Sequence, residues 1–185
     1  MSNGANFLDE NQNLWRSCLL ESIRLTGGPP NRALFLVSAC LCGLACRYDG
    51  LAKPVGRLVE LHRAGLALAV CPEVDGGLST PRQPCELRQG KVVGRDGLDL
   101  TEAFKLGSER ALGMARKNNL RLAVLKDNSP SCGSTAVYDG SFSGLLIPGQ
   151  GLTAAILRDN GLLIISERQY LSLEDELTEL LPPCF

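Results

Sequence analysis

The chain has 185 residues, 44% of them hydrophobic and 21% charged, with a formal net charge of −1; this excludes a disordered chain and an electrostatic nucleic-acid binder, and suits one domain burying about 70% of its unfolded surface. No apolar run approaches the roughly 20 residues that cross a bilayer, and the start, MSNGANFLDENQNLWRSC, has no basic segment followed by an apolar one, so a cytoplasmic protein with no membrane or nucleic-acid partner is expected. In that compartment the eight cysteines stay mostly reduced, which makes metal binding or catalysis a better reading of them than a disulfide framework.

Residues 1–33 read as an N-terminal extension: a polar start, then a helix over 12–25 with Leu14, Trp15, Cys18, Leu19, Ser22 and Ile23 near one face, stopped by TGGPPN. Residues 34–185 then alternate short apolar runs with helical stretches. In chain order the pattern predicts a strand over 33–38, a helix over 54–64, a strand over 66–70 and a shorter strand over 91–93. A helix over 101–118 follows, with Asp99 or Thr101 as its cap and Ala103, Leu106, Ala111, Leu112 and Ala115 as its buried stripe. Next come a strand over 120–125, the hairpin or loop YDGSFSG, a helix over 151–159 closed by Asn160 and Gly161, and a strand over 162–165. The acidic segment SLEDELTELL reads as a last helix with a solvated face. The longer strands are apolar without alternation, as strands buried on both faces are. The fold class is therefore α/β, a single domain with a mainly parallel, open, Rossmann-like sheet, helices on both faces, and an N-terminal helical appendage.

Unusual sequence follows three of these strands directly: FLVSACL, LAVCPEVDGGLSTPR and AVLKDNSPSCGS. Loops leaving the carboxyl ends of parallel strands share one edge, where ligands bind. Cys40, Cys71 and Cys132, 31 and 61 residues apart along the chain, are expected to converge there. The local trio Cys40, Cys42 and Cys46 matches neither zinc-ribbon nor ferredoxin spacing. Three thiolates suit a soft metal and leave one coordination position open for a sulfur-bearing ligand. Glu73, two residues past Cys71, is placed for general acid or base work, Ser129 and Ser131 flank Pro130 beside Cys132, and Lys126 and Arg82 balance charge. Bland readings stand beside these. Cys18, Cys42, Cys85 and Cys184 are taken as small buried hydrophobes, Cys46 is left undecided, and His62 reads as a surface or packing residue. Glu73 also suits a helix N-terminus, and Asn-Ser-Pro-Ser is a turn signal in its own right.

Taken together, SACLCG-x-x-CRYDG, CPEV-x-GGL-x-TPR, K-D-x-SPSCG, YDGSFSG, GLTAAILRDNG and a closing ISE resemble the thiouracil desulfidase family, long known as domain of unknown function number 523, over roughly residues 34–167. The resemblance implies a bacterial-type enzyme with a 4Fe-4S cluster held by Cys40, Cys71 and Cys132, whose fourth iron binds the sulfur of a small thiolated nucleobase. It also implies Glu73 and Ser129 as catalytic residues, and the non-redox conversion of 2-thiouracil and water to uracil and hydrogen sulfide. The alternative is a zinc- or nucleotide-binding regulatory module without catalysis, with Cys46 as a fourth zinc ligand. A metal-free thiol enzyme with Cys132 as nucleophile is disfavoured by the lack of a C-x-x-C pair and of a histidine within a motif.

Overall fold

Four apolar runs pair side by side into one parallel sheet. The computed structural model describes residues 33–172 together with Ser17. The helix expected over 12–25 and the acidic helix after Leu171 lie, but for Ser17 and Ser172, outside the described residues. The sheet holds β1 (Phe35–Ser38), β2 (Ala67–Val70), β5 (Leu122–Leu125) and β8 (Leu163–Ser166) in the order β2-β1-β5-β8, all parallel. The chain steps from β1 to β2 on one side and later returns to β5 on the other. The order therefore reverses between β1 and β5, which opens a crevice at their carboxyl ends.

Helices cover both faces because the strands are apolar on both. Phe35 and Val37 of β1, with Leu122 and Val124 of β5, pack against Leu58 and Leu61 of α1 (Gly56–Arg63) and Tyr170 of α5 (Glu167–Leu171). Their alternate neighbours Leu36, Ala123 and Leu125 pack on the opposite face against Ala111, Leu112 and Ala115 of α3 (Thr101–Lys117) and Ala154 and Leu157 of α4 (Leu152–Asp159). Two antiparallel hairpins lie outside the sheet, β3 (Cys85–Arg88) with β4 (Lys91–Gly94) and β6 (Ala136–Tyr138) with β7 (Leu146–Pro148). The short strand expected over 91–93 is β4, paired with a partner that has no long apolar run.

Two details of α3 differ from expectation. Leu106 is 42% exposed, and the buried stripe runs through Phe104, Gly107, Ser108, Ala111, Leu112 and Ala115. Leu100 occupies the cap position without a side-chain bond, while the Asp99 carboxylate accepts the Thr101 N–H at 3.0 Å and the Thr101 hydroxyl accepts the Val92 N–H. The stripe shifts because the short helix α2 (Pro72–Asp75) crosses α3 at Gly107. A Cβ on Gly107 would meet the Pro72 carbonyl at 1.7 Å, and one on Gly76 would meet the Ala103 carbonyl at 2.1 Å.

The loop after β5 is organised by Asp127, 2% exposed. Its carboxylate accepts the Ser134 and Thr135 N–H groups at 2.9 and 3.1 Å and the Thr135 hydroxyl. Burial alone would raise its pKa, but these bonds outweigh burial and hold it below the usual carboxylate value. A depressed carboxyl contributes stability that is fully present above the unfolded pKa and is lost as pH falls through the folded value. Asp127→Ala should therefore lower stability at neutral pH by roughly 3 kcal/mol, the scale of lost charge-assisted bonds and stranded N–H groups. Its urea midpoint should fall less steeply on acidification than that of the parent. Gly107→Ala should cost about 1–3 kcal/mol through the clash with the Pro72 backbone, read in the same unfolding experiment.

Candidate functional site

Three loops leave the sheet at its carboxyl edge, and each carries a thiol. β1 runs directly into a 3-10 turn, Ala39–Cys42, that Gly43 closes with φ of 90°. The turn sends neighbouring thiols in different directions. Cys40 lines the cavity at this edge, whereas Cys42 is buried toward α1, donates to the Leu58 carbonyl at 3.8 Å, and is pushed by burial up to about 12. Cys71 follows β2 directly, and its N–H donates to the Asp75 carboxylate at 3.2 Å. Cys132 sits in the turn after β5, 6% exposed. Cys40, Cys71 and Cys132 thus border one cavity of about 680 Å³, as the sequence predicts from topology.

Two further cysteines border the same cavity, Cys46 and Cys85. The Cys46 thiol is within hydrogen-bonding contact of both Cys40 and Cys71, and its carbonyl accepts the Cys71 thiol at 3.7 Å. Contact with Cys40, then burial, pushes Cys46 up to about 11. Contact with Cys46 and burial raise Cys71, while burial above all pushes Cys132 up to about 12. Crowded thiols that are hard to ionise alone lose their protons to solvent when a soft cation binds them, so the donor set fits a thiophilic metal group. Among the described residues, no three His, Cys, Asp or Glu side chains are placed to hold a single ion.

Glu73 lies in the first turn of α2, opened by Pro72. Its Oε2 is held by Arg82, through Nε at 2.8 Å and a second guanidinium nitrogen at 2.7 Å, with the Arg82 side chain 8% exposed. The same guanidinium donates to the carbonyls of Cys46 and Ser79 and to the Thr80 hydroxyl. Arg82 therefore ties the Cys46 loop, the 79–80 turn and Glu73 into one unit, a structural task beyond the charge balance expected of it.

Ser129 connects this unit to Cys132. Its Oγ accepts the N–H groups of Ser131 and Cys132, both at 3.1 Å, which leaves its single O–H for Glu73 Oε1 at 3.5 Å. Turn chemistry and site chemistry coincide in one hydroxyl. Ser131 turns the other way, into a buried network with Thr153 of α4 and Ser108 of α3. Lys126 donates to Glu167 and to the Asp127 carbonyl, so its charge is used in fixing the loop after β5. His62 is remote from the cavity lining, with Nδ1 at 3.0 Å from the Ala67 carbonyl.

Another part of the cavity wall comes from the two hairpins, of which the sequence reading gave YDGSFSG only as a hairpin or loop. Tyr138, Phe142 and Arg95 belong to it, and Glu86 on β3 anchors it. The signal available was YDGSFSG itself, a loop rich in Gly and Ser with one aromatic residue at its centre.

The model of the family described as 2-thiouracil desulfurase matches residues 35–169. The chain is 41% identical over 149 residues to YbbK of Bacillus subtilis (strain 168), described as uncharacterized, covering 74% of this chain and 97% of that protein. It is also similar to a solved structure of a 4Fe-4S-dependent thiouracil desulfidase, TudS, with a TM-score of 0.74 and 45% identity over 80% of this chain and 99% of the other.

Proposed function

The chain belongs to the 2-thiouracil desulfurase family, and we propose that it is a cytoplasmic enzyme that removes sulfur from a thiolated nucleobase, converting 2-thiouracil and water to uracil and hydrogen sulfide. The observation that carries this reading is the meeting of Cys40, Cys71 and Cys132 with Glu73 and Ser129 around one cavity. The solved relative described as a 4Fe-4S-dependent desulfidase supports it, and no described helix is long and apolar enough to cross a membrane. Cys40, Cys71 and Cys132 would hold a 4Fe-4S cluster, which would supply a soft Lewis acid for the thione sulfur.

The protein's own groups manage the protons. Exchanging C=S for C=O moves both hydrogens of one water onto sulfur, with no net oxidation or reduction. Glu73 is the carboxylate placed to carry them. Its Oε2 is committed to Arg82, whereas Oε1 meets only the long contact from Ser129. Oε1 is then the oxygen that accepts a proton from the attacking water and returns it to the departing sulfur. Ser129, held by two backbone N–H groups, fixes where Oε1 points relative to the Cys132 turn. Its conformation is set before substrate arrives, so no ordering of that hydroxyl is needed at the moment of reaction.

Anaerobic reconstitution with iron and sulfide should give a brown protein that releases sulfide from 2-thiouracil. Glu73→Ala should lower turnover by about 10²–10⁴-fold, the usual worth of a positioned acid or base, while leaving the absorption of the cluster intact. Loss of the absorption in that variant would make Glu73 structural. A colourless protein that binds zinc and releases no sulfide would overturn the reading. Cys71→Ala and Cys132→Ala should each abolish the cluster absorption, whereas Cys42→Ala should retain it.

A further inference from the structure

The hairpin wall of the cavity carries two features that the desulfuration chemistry does not use. The first is the locked conformation of Phe142. Its φ is 60°, a left-handed value uncommon for a bulky side chain. The residue is kept there by Glu86, 7% exposed, whose Oε2 accepts the N–H groups of Gly140 and Phe142 at 3.0 and 2.9 Å. Gly140, at φ of 87°, lets the loop press onto β3, since a Cβ there would meet the Leu87 carbonyl at 2.6 Å. Unfavourable backbone held in place by a buried carboxylate points to a side chain that must stand in one position.

The second feature is Arg95. Its guanidinium carbon lies 5.6 Å from the centre of the Phe142 ring, and both residues line the cavity that the thiols share. Among the described residues its side chain makes no ion pair or hydrogen bond. Of the other cations around the cavity, Arg47 is committed to Asp49, Arg82 to Glu73 and Lys126 to Glu167, while Lys53 makes no ion pair among the described residues but is not placed over the Phe142 ring. A guanidinium held over a ring by a cation–π contact keeps its N–H groups free for a ligand, and it can only donate.

We propose that Phe142 and Arg95 form the substrate-recognition wall, with Phe142 supplying flat apolar contact to the pyrimidine ring and Arg95 donating hydrogen bonds to its C4 carbonyl oxygen. This inference rests on the thiolated-nucleobase reading and narrows it to oxo-pyrimidines. A pyrimidine with a C4 amino group presents a donor to a donor. Such a base leaves both groups unsatisfied, the mismatch by which binding sites reject close analogues most effectively. Thiouracil is therefore the preferred class and thiocytosine the rejected one.

The test uses the cluster-loaded full chain under anaerobic conditions and two sulfur-free probes, uracil and cytosine, with binding measured by calorimetric titration. The parent should bind uracil at least tenfold more tightly than cytosine. Arg95→Ala, an exposed position where folding is undisturbed, should reduce that ratio to about twofold or less. Phe142→Leu should weaken both probes by about tenfold and keep the ratio. For 2-thiouracil against 2-thiocytosine, kcat/KM should follow the same pattern. An unchanged ratio in Arg95→Ala, unchanged affinities in Phe142→Leu, or no uracil preference in the parent would overturn the assignment. Sulfide release from 2-thiouracil with an unchanged ratio would sink the wall and spare the desulfidase function. A uracil preference lost in Arg95→Ala, without any sulfide release, would do the reverse.

Discussion

The parallel pairing of β1 with β2 on one side and β5 on the other is the constraint on which the site depends. Ser38 pairs with Val70 and Val37 with Val124, so the three strands end nearly level. Each next turns into a loop within one or two residues, and thiols 31 and 61 residues apart in the chain arrive at one edge. The register is fixed by burial on both faces. A slip by one residue would exchange Phe35 and Val37 with Leu36 between two cores of different shape, and the loops would leave the sheet staggered. No local motif could substitute for this, because the three cysteines that are close in sequence diverge: Cys42 is buried against α1 while Cys40 and Cys46 border the cavity.

The loops themselves have little regular structure, and their shape is kept by buried charge. Arg82 with Glu73, Lys126 with Glu167, Asp127 with the 134–136 backbone and Glu86 with the 140–142 backbone each bridge segments that the sheet does not hold. The magnitudes separate these from the surface pairs. An exposed pair such as Lys91 with Asp99, with side chains 67% and 47% accessible, is worth about 0–1 kcal/mol. Removing one member of a buried pair costs about 3–5 kcal/mol because the survivor is stranded. Arg82 shows the consequence for function: the guanidinium that fixes Glu73 Oε2 also fixes the Cys46 carbonyl. Glu73 and the thiol loop are therefore positioned by the same atoms.

Much of this was legible in the sequence for a physical reason. Strands buried on both faces have few polar positions, so the runs at 33–38, 66–70 and 120–125 stand out, and a cysteine soon after such a run has its location settled by topology. The hairpins carry no such mark. Their strands are three or four residues long, and β7 is exposed along its length, so neither periodicity nor hydrophobicity sets them apart from loops. The α3 stripe was misread at Leu106 because the closest contact of the helix is made by Gly107, which has no side chain to signal it. Cys85 was assigned to packing on residue type alone; it does pack with Val92 and Phe104, yet it also borders the cavity. Glu86 was invisible as an organiser, since its partners are backbone N–H groups.

The two kinds of wall have different mechanical origins, and this bears on how specificity can vary within one chemistry. The thiol edge is tied to the hydrogen-bonded sheet, so moving any one loop disturbs the strand register or the Arg82 unit. The hairpin wall is attached through a separate small core, in which Phe104 of α3 packs with Cys85 and Val92, and through the Glu86 carboxylate. Arg95 follows β4 directly and Phe142 crowns the turn between β6 and β7, positions where a side chain can change without altering the sheet. On the proposed reading, recognition can be retuned at Arg95 while Cys40, Cys71, Cys132 and Glu73 stay where the sheet puts them. The reacting sulfur is then located by the rigid edge and the rest of the heterocycle by the adjustable one.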